Sequence, residues 1–213
     1  MNEASIVFAE ELAAIDSSFV KEFVIECFDK LTPSYFWTGP ASSSGKHHPK
    51  MSNKKHGLVL HVKLCVWWGR KIAQSYERCN MDIIIAALLL HDLQKFGTAV
   101  DKDGKPNLAE YSSAHGPMLA MQIENMLANQ NKTYEYGTIS IIIAAIAMHM
   151  GKWTNQTLSH KWKDMLRKNN NVEIVHLADY MASRKIGDKL EELDSLSSVE
   201  IMGEAWYGSH PLS

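Results

Sequence analysis

Apolar side chains recur at helical intervals along most of this chain. Residues 3–30 carry Phe19, Phe23, Val24, Cys27 and Phe28 in that rhythm, and Pro33 limits the single helix they predict. Residues 57–76 offer Leu60, Leu64, Trp67, Trp68 and Ile72 for an inner face, with both tryptophans in the core. Residues 83–90 are an unbroken apolar run; extended to 81–93 it is long enough for a buried helix, although periodicity alone leaves a strand open. Further helices are predicted at 116–128, opened by Pro117, at 138–150, apolar all round and therefore central, at 159–168 and at 172–186. Residues 34–55 read as an irregular loop and 101–107 as a polar surface turn. No strand alternation and no internal repeat emerge. The pattern predicts an all-α protein: an N-terminal helical segment at 1–33, one helical-bundle domain at 34–190 and a tail at 191–213.

Composition narrows the classes. With 46% hydrophobic and 22% charged residues in 213, the chain has the balance of an ordinary globular protein, which excludes a disordered or collagen-like one. Lys plus Arg is 22 and Asp plus Glu 24, a net charge of −2, so there is no basic field for a long nucleic acid. A small substrate is favoured, with a short oligonucleotide still in range. Cys27, Cys65 and Cys79 fit neither a zinc motif nor a disulfide framework and read as free core thiols. Glu3, Glu10 and Glu11 stand where a signal peptide would be basic, and no apolar run reaches the roughly 18 residues of a membrane span. A cytoplasmic protein without membrane partners is expected; oligomeric state is open.

The histidines carry the chemistry. His91 and Asp92 close the most apolar segment, and His149 closes the other. An imidazole at the edge of a buried segment is costly without a partner. Neighbouring segments supply His61, His115 and Asp179. Taken singly, a buried histidine is more often a hydrogen-bonded core residue than a ligand. Together these residues make four imidazoles and two carboxylates, enough for two first-row metal ions with Asp92 bridging and positions left for water.

The order GLVLH at 57–61, LLLHDLQK at 88–95, His115 before a helix, MHMG at 148–151 and HLADYMASR at 176–184 resembles the HD-domain superfamily of metal-dependent phosphohydrolases. The resemblance extends over most of residues 35–187, making 34–190 the HD domain. It is nearest to small HD proteins of phages and Gram-positive bacteria and to the HD half of YhaM-type exoribonucleases. It implies a helical bundle with a metal centre at its core. His61, His91, Asp92 and Asp179 would hold a first ion and Asp92, His115 and His149 a second, the metal being Mn, Fe, Co, Ni or Zn. The implied activity is hydrolysis of a phosphoester or phosphoanhydride of a nucleotide, cyclic nucleotide or short oligonucleotide by metal-activated water. Met150 departs from relatives that carry a second histidine there, since a thioether is a poor ligand for a hard ion; the second ion is accordingly expected to be lost first.

Asp92 and Lys95 are the expected catalytic residues. Lys95 lies four residues past His91, one turn along the same helix, and in the family a lysine at this motif position contacts phosphate. Ser183 and Arg184 follow Asp179 by four and five residues, within reach of substrate. The loop from Ser42 to His48, with Ser43, Ser44, Lys46 and His48 as contacts, has the hydroxyls, cations and glycine that cradle phosphate. His56 and His176 are candidates to support the ligands, with core or surface roles equally open, and Trp153 to stack a base, although packing is the commoner role of such an aromatic. Two other readings keep the same ligands: an HD-type diiron oxygenase, which Met150 fits without strain, and a nucleotide sensor that retains metal for stability.

Overall fold

The computed structural model describes residues 3–42, 48–98, 113–130 and 136–185. Among them there are helices and turns and no strand, the all-α architecture expected. The helices are α1 (Glu3–Val7), α2 (Ala9–Ala13), α3 (Ser18–Leu31), α4 (Gly57–Ala73), α5 (Met81–Leu90), α6 (His115–Ala128), α7 (Tyr136–Met148), α8 (Met165–Lys168) and α9 (Asn170–Ala182). None of the described helices is long and apolar enough to cross a membrane. The tail at 191–213 lies outside the described residues.

Helix α5 is the axis of the bundle. Every residue from Ile83 to Leu90 is buried, and α3, α4, α7 and α9 pack around it. An element surrounded on all sides has no reason to alternate, which is why its sequence lacks a polar stripe. Asn80 starts it by accepting from the Asp82 and Ile83 amides. The N-terminal layer closes one side with a cluster of Phe8, Phe28, Phe36 and Trp37, their rings 4.9 to 6.4 Å apart. Beneath it the buried Lys63 of α4 meets both Glu11 oxygens at 2.9 Å.

Several boundaries differ from those the pattern predicts. The single helix at 3–30 is three helices: Ser17 caps α3 through the Val20 amide, and the Asp82 carboxylate accepts from the Asp16 and Ser17 amides, pinning a break that only the distant α5 can make. Helix α5 stops at Leu90 instead of 93, and residues 91–97 wind on through tighter turns, with amides of Leu93, Lys95 and Gly97 bonded three residues back. Of 159–168 only α8 is helical; turns precede it and Trp162 is buried among them. Trp67 and Trp68 are half-buried at the rim of the core, edge to face at 4.8 Å, since the buried face of α4 is taken by Leu60, Leu64 and Cys65.

Candidate metal centre

Five elements converge where α5 ends. His61 projects from α4, His91 caps α5, Asp92 follows it, His115 opens α6, His149 follows α7 and Asp179 comes from α9. His61, His91 and Asp92 are fully buried, and His115 and His149 nearly so. The donors fall into two groups, each with its ligand atoms within 4.8 Å of one another: His61, Cys65, His91 and Asp179, and Asp92, His115 and His149. Asp92 joins them, with Oδ2 at 3.3 Å from His61 Nε2 and Oδ1 at 3.0 Å from His115 Nε2. Asp179 Oδ1 lies 3.1 Å from His61 Nε2.

Backbone carbonyls orient the rings. His91 Nδ1 is 2.7 Å from the Leu88 carbonyl and His149 Nδ1 is 2.7 Å from that of Ile146. A carbonyl only accepts, so each Nδ1 carries a proton and each ring is turned with its Nε2 to the centre. Burial, then the neighbouring His115 and His91, pushes His149 down to about 3, so this ring is neutral. Its Nε2 faces His115 Nε2 at 2.9 Å and Asp92 Oδ1 at 3.6 Å. Gly116 permits that approach, since a Cβ there would sit 2.7 Å from the Ile146 carbonyl and 3.0 Å from the His149 ring.

The donor set fits divalent cations on a direct observation. Asp92 Oδ1 is buried without a hydrogen bond although two imidazole nitrogens approach it. Lone pairs gathered without protons between them are what a cation satisfies. Burial would raise the Asp92 carboxyl, yet Lys95 and the surrounding histidines hold it well below the usual carboxylate range. Burial likewise opposes a charge on His61 and His91, but Cys65 and the two carboxylates outweigh it and hold both above the ordinary imidazole value. The centre attracts positive charge.

Cys65 is the residue the sequence did not reveal. Read there as a core thiol, it is fully buried with Sγ 3.5 Å from His61 Nε2 and 3.9 Å from His91 Nε2. The two imidazoles outweigh burial and lower its thiol from the ordinary value. Its signal was the four-residue step from His61, which puts both on one face of α4.

The other expected residues divide. Lys95 lies in the turns beyond α5 and not on its face, yet its Nζ donates to Asp92 Oδ2. Burial lowers Lys95 less than Asp92 and Asp179 raise it, so it is a cation. His48 stands edge to face with His61 at 5.0 Å, with neither buried ring nitrogen hydrogen-bonded; burial, then His61 and Lys95, pushes it down to about 3. Ser183 Oγ donates to Asp179 Oδ1 at 3.2 Å. Arg184 stacks over Tyr180. Ser43, Ser44 and Lys46 lie outside the described residues. His176 Nδ1 donates to the carbonyl of the candidate ligand His149 at 2.7 Å, and His56 Nδ1 meets the Trp37 carbonyl at 2.6 Å. A cavity of about 400 Å³ opens beside Asp179, and Met150 lines it, outside both donor groups.

No curated protein and no solved structure matches the chain. A family model, the HD domain, matches residues 59–184, more than half of the sequence and a span within which the six predicted ligands lie. The chain belongs to the HD domain family.

Proposed function

We propose that this protein is a phosphohydrolase that uses two divalent transition-metal ions to cleave a phosphoester or phosphoanhydride of a nucleotide, cyclic nucleotide or short oligonucleotide. The observation that carries the reading is the buried carboxylate of Asp92, one oxygen turned to each donor group, with the cation of Lys95 beside it and a cavity at Asp179. Ions bound there supply Lewis acidity, lowering the pKa of water and neutralising phosphoryl charge. The chain's own residues do the rest. His61, Cys65, His91 and Asp179 would hold one ion and His115 and His149 the other, Asp92 bridging. Lys95 steadies Asp92 and adds positive charge where a phosphoryl group arrives. The neutral His48, with both ring nitrogens free of hydrogen bonds, offers a polar contact over His61. Arg184, in the cavity wall, meets phosphate charge.

The test is release of phosphate or nucleotide from nucleoside phosphates, cyclic dinucleotides and short RNA and DNA with Mn(II), Fe(II), Co(II) or Ni(II), in wild type and Asp92→Ala. Metal-dependent turnover lost in the variant is the expected result. Silence across the panel with metal bound overturns the reading, and oxygen-dependent turnover with iron alone replaces it with oxygenase chemistry.

A further inference from the structure

The cavity beside Asp179 has one acidic and one aromatic side. Trp153, 50% exposed, and Tyr180, 37% exposed, line it together with His176, Ser183 and Arg184. Among the described residues only Ile6, in α1, is a comparably exposed large hydrophobic side chain. The two rings stack at 5.9 Å with planes 11° apart. Each ring has a cation beside it: Lys152 Nζ lies 4.7 Å from the Trp153 ring centre and Arg184 Cζ 4.1 Å from that of Tyr180. Arg184 Nε is buried without a hydrogen-bond partner, a donor still unused at the cavity wall.

The wall is not a by-product of packing. Helix α9 buries Val172, Ile174, Val175, Ala178 and Ala182 in the core, and Tyr180 is on its other side. Trp153 ends a short turn set by Gly151, whose φ is +57° and where a Cβ would lie 2.5 Å from the His176 ring. His176 in turn donates to the carbonyl of His149. The aromatic wall is therefore fixed relative to the metal ligands on both sides, through His176 to His149 and along α9 to Asp179. Flat π-surfaces flanked by cations attract a planar heteroaromatic ring, with the adjoining guanidinium and metal centre left for its phosphate.

We propose that Trp153 and Tyr180 form a nucleobase subsite, so that the ligand of this cavity is a base-bearing phosphate compound with its base on the aromatic wall and its phosphate towards Asp179. The inference rests on the phosphohydrolase reading for the phosphate but not for the base.

Binding of nucleosides separates the two, because a nucleoside has no phosphate to hydrolyse. Adenosine, guanosine, cytidine and uridine would be titrated into the metal-loaded protein, followed by tryptophan fluorescence and calorimetry, with ribose 5-phosphate as the base-free ligand. At least one nucleoside is expected to quench fluorescence in wild type. Trp153→Ala should weaken it by roughly 5- to 150-fold, Trp153→Phe much less, with ribose 5-phosphate affinity and metal content unchanged. Nucleosides that fail to bind, or bind Trp153→Ala and Tyr180→Ala as tightly as wild type, overturn the subsite. So does an equal loss of ribose 5-phosphate in Trp153→Ala. Turnover of phosphate esters with no effect of Trp153→Ala leaves the hydrolase standing without the subsite; Trp153-dependent nucleoside binding without any turnover does the reverse.

Discussion

His61 and Lys63 are two residues apart on α4 and both are buried, yet they sit in opposite kinds of surroundings. Lys63 has one partner, Glu11, which meets it with both oxygens at 2.9 Å, and Phe8 lies 5.4 Å beneath the ammonium. That pair closes on itself. The centre to which His61 belongs is crowded with donors instead: His115 and His149 bring their Nε2 atoms to 2.9 Å of each other, and Asp92 Oδ1, which both approach, is buried without a well-formed hydrogen bond. Burial of charged groups is common to both places and so marks neither as functional. What distinguishes the centre, among the described residues, is a buried carboxylate oxygen without a hydrogen bond beside clustered imidazoles, a concentration of donors that a metal ion would satisfy.

The sharpest way to break that contrast is Asp92→Ala. It removes the one carboxylate both donor groups share, so both ions should be lost from the purified protein, with activity down on the order of 10³-fold or more. Elemental analysis and turnover check this together; retention of two ions would show that Asp92 does not bridge. At the other site, Glu11→Ala leaves Lys63 buried without its partner and should cost about 3–5 kcal/mol in chemical denaturation. The double variant Glu11→Leu with Lys63→Met should be neutral or more stable than wild type by about 1–4 kcal/mol, because it removes the desolvation along with the attraction. Burial pushes the Glu11 carboxyl up from its ordinary value against the pull of Lys63. A folded-state value above the unfolded one of about 4.3 gives a contribution present below that pH and lost as pH rises through the folded value. Wild type should therefore lose stability relative to the double variant on going from acid to neutral pH, and an opposite slope would show that the pair is net stabilising.

This contrast was half legible in the sequence. His91, Asp92 and His149 stood out because imidazoles and a carboxylate at the ends of apolar runs conflict with their surroundings, His61, His115 and Asp179 joined them as donors on neighbouring segments, and the structure brings all six candidate ligands together. Cys65 was invisible because a thiol suits a core and conflicts with nothing; only its register with His61 on a formed helix exposes it. The break between α2 and α3 was equally hidden, since the Asp82 carboxylate that holds it is more than sixty residues away. Lys95 was placed near the centre by a helix that in fact ends at Leu90; the tighter turn brought its ammonium to Asp92 all the same. Local pattern reports which residues are out of place, while long-range contacts decide what they meet.

Graded removal of metal compares the two donor groups with each other. The first has four donors besides Asp92 and the second only two, His115 and His149. Increasing chelator should therefore remove one ion per chain before the other, and the first loss should fall on the second group. An ion held at a concentration 100 times its Kd contributes about 2.7 kcal/mol, so each loss should appear as a step down in Tm. A single tightly held ion at every chelator level would contradict two unequal sites.

The smallest effect, and the one that decides what kind of site the first group is, belongs to Cys65→Ser. A tetrahedral ion with metal–sulfur and metal–nitrogen bonds of about 2.3 and 2.0–2.1 Å sets sulfur and nitrogen about 3.6 Å apart. Cys65 Sγ lies 3.5 Å from His61 Nε2 and 3.9 Å from His91 Nε2, the separations of ligands that share one ion. Cobalt(II)-loaded wild type should then show a thiolate-to-metal charge-transfer band in the near ultraviolet, and Cys65→Ser should lack it. A serine hydroxyl is a harder and weaker donor, so zinc and cobalt should bind roughly tenfold more weakly while manganese changes little. Identical spectra in the two proteins would make Cys65 a packed thiol and reduce the first group to nitrogen and oxygen donors. The preference for softer metals would then have no basis in this chain, and hard ions such as manganese would suit both groups equally.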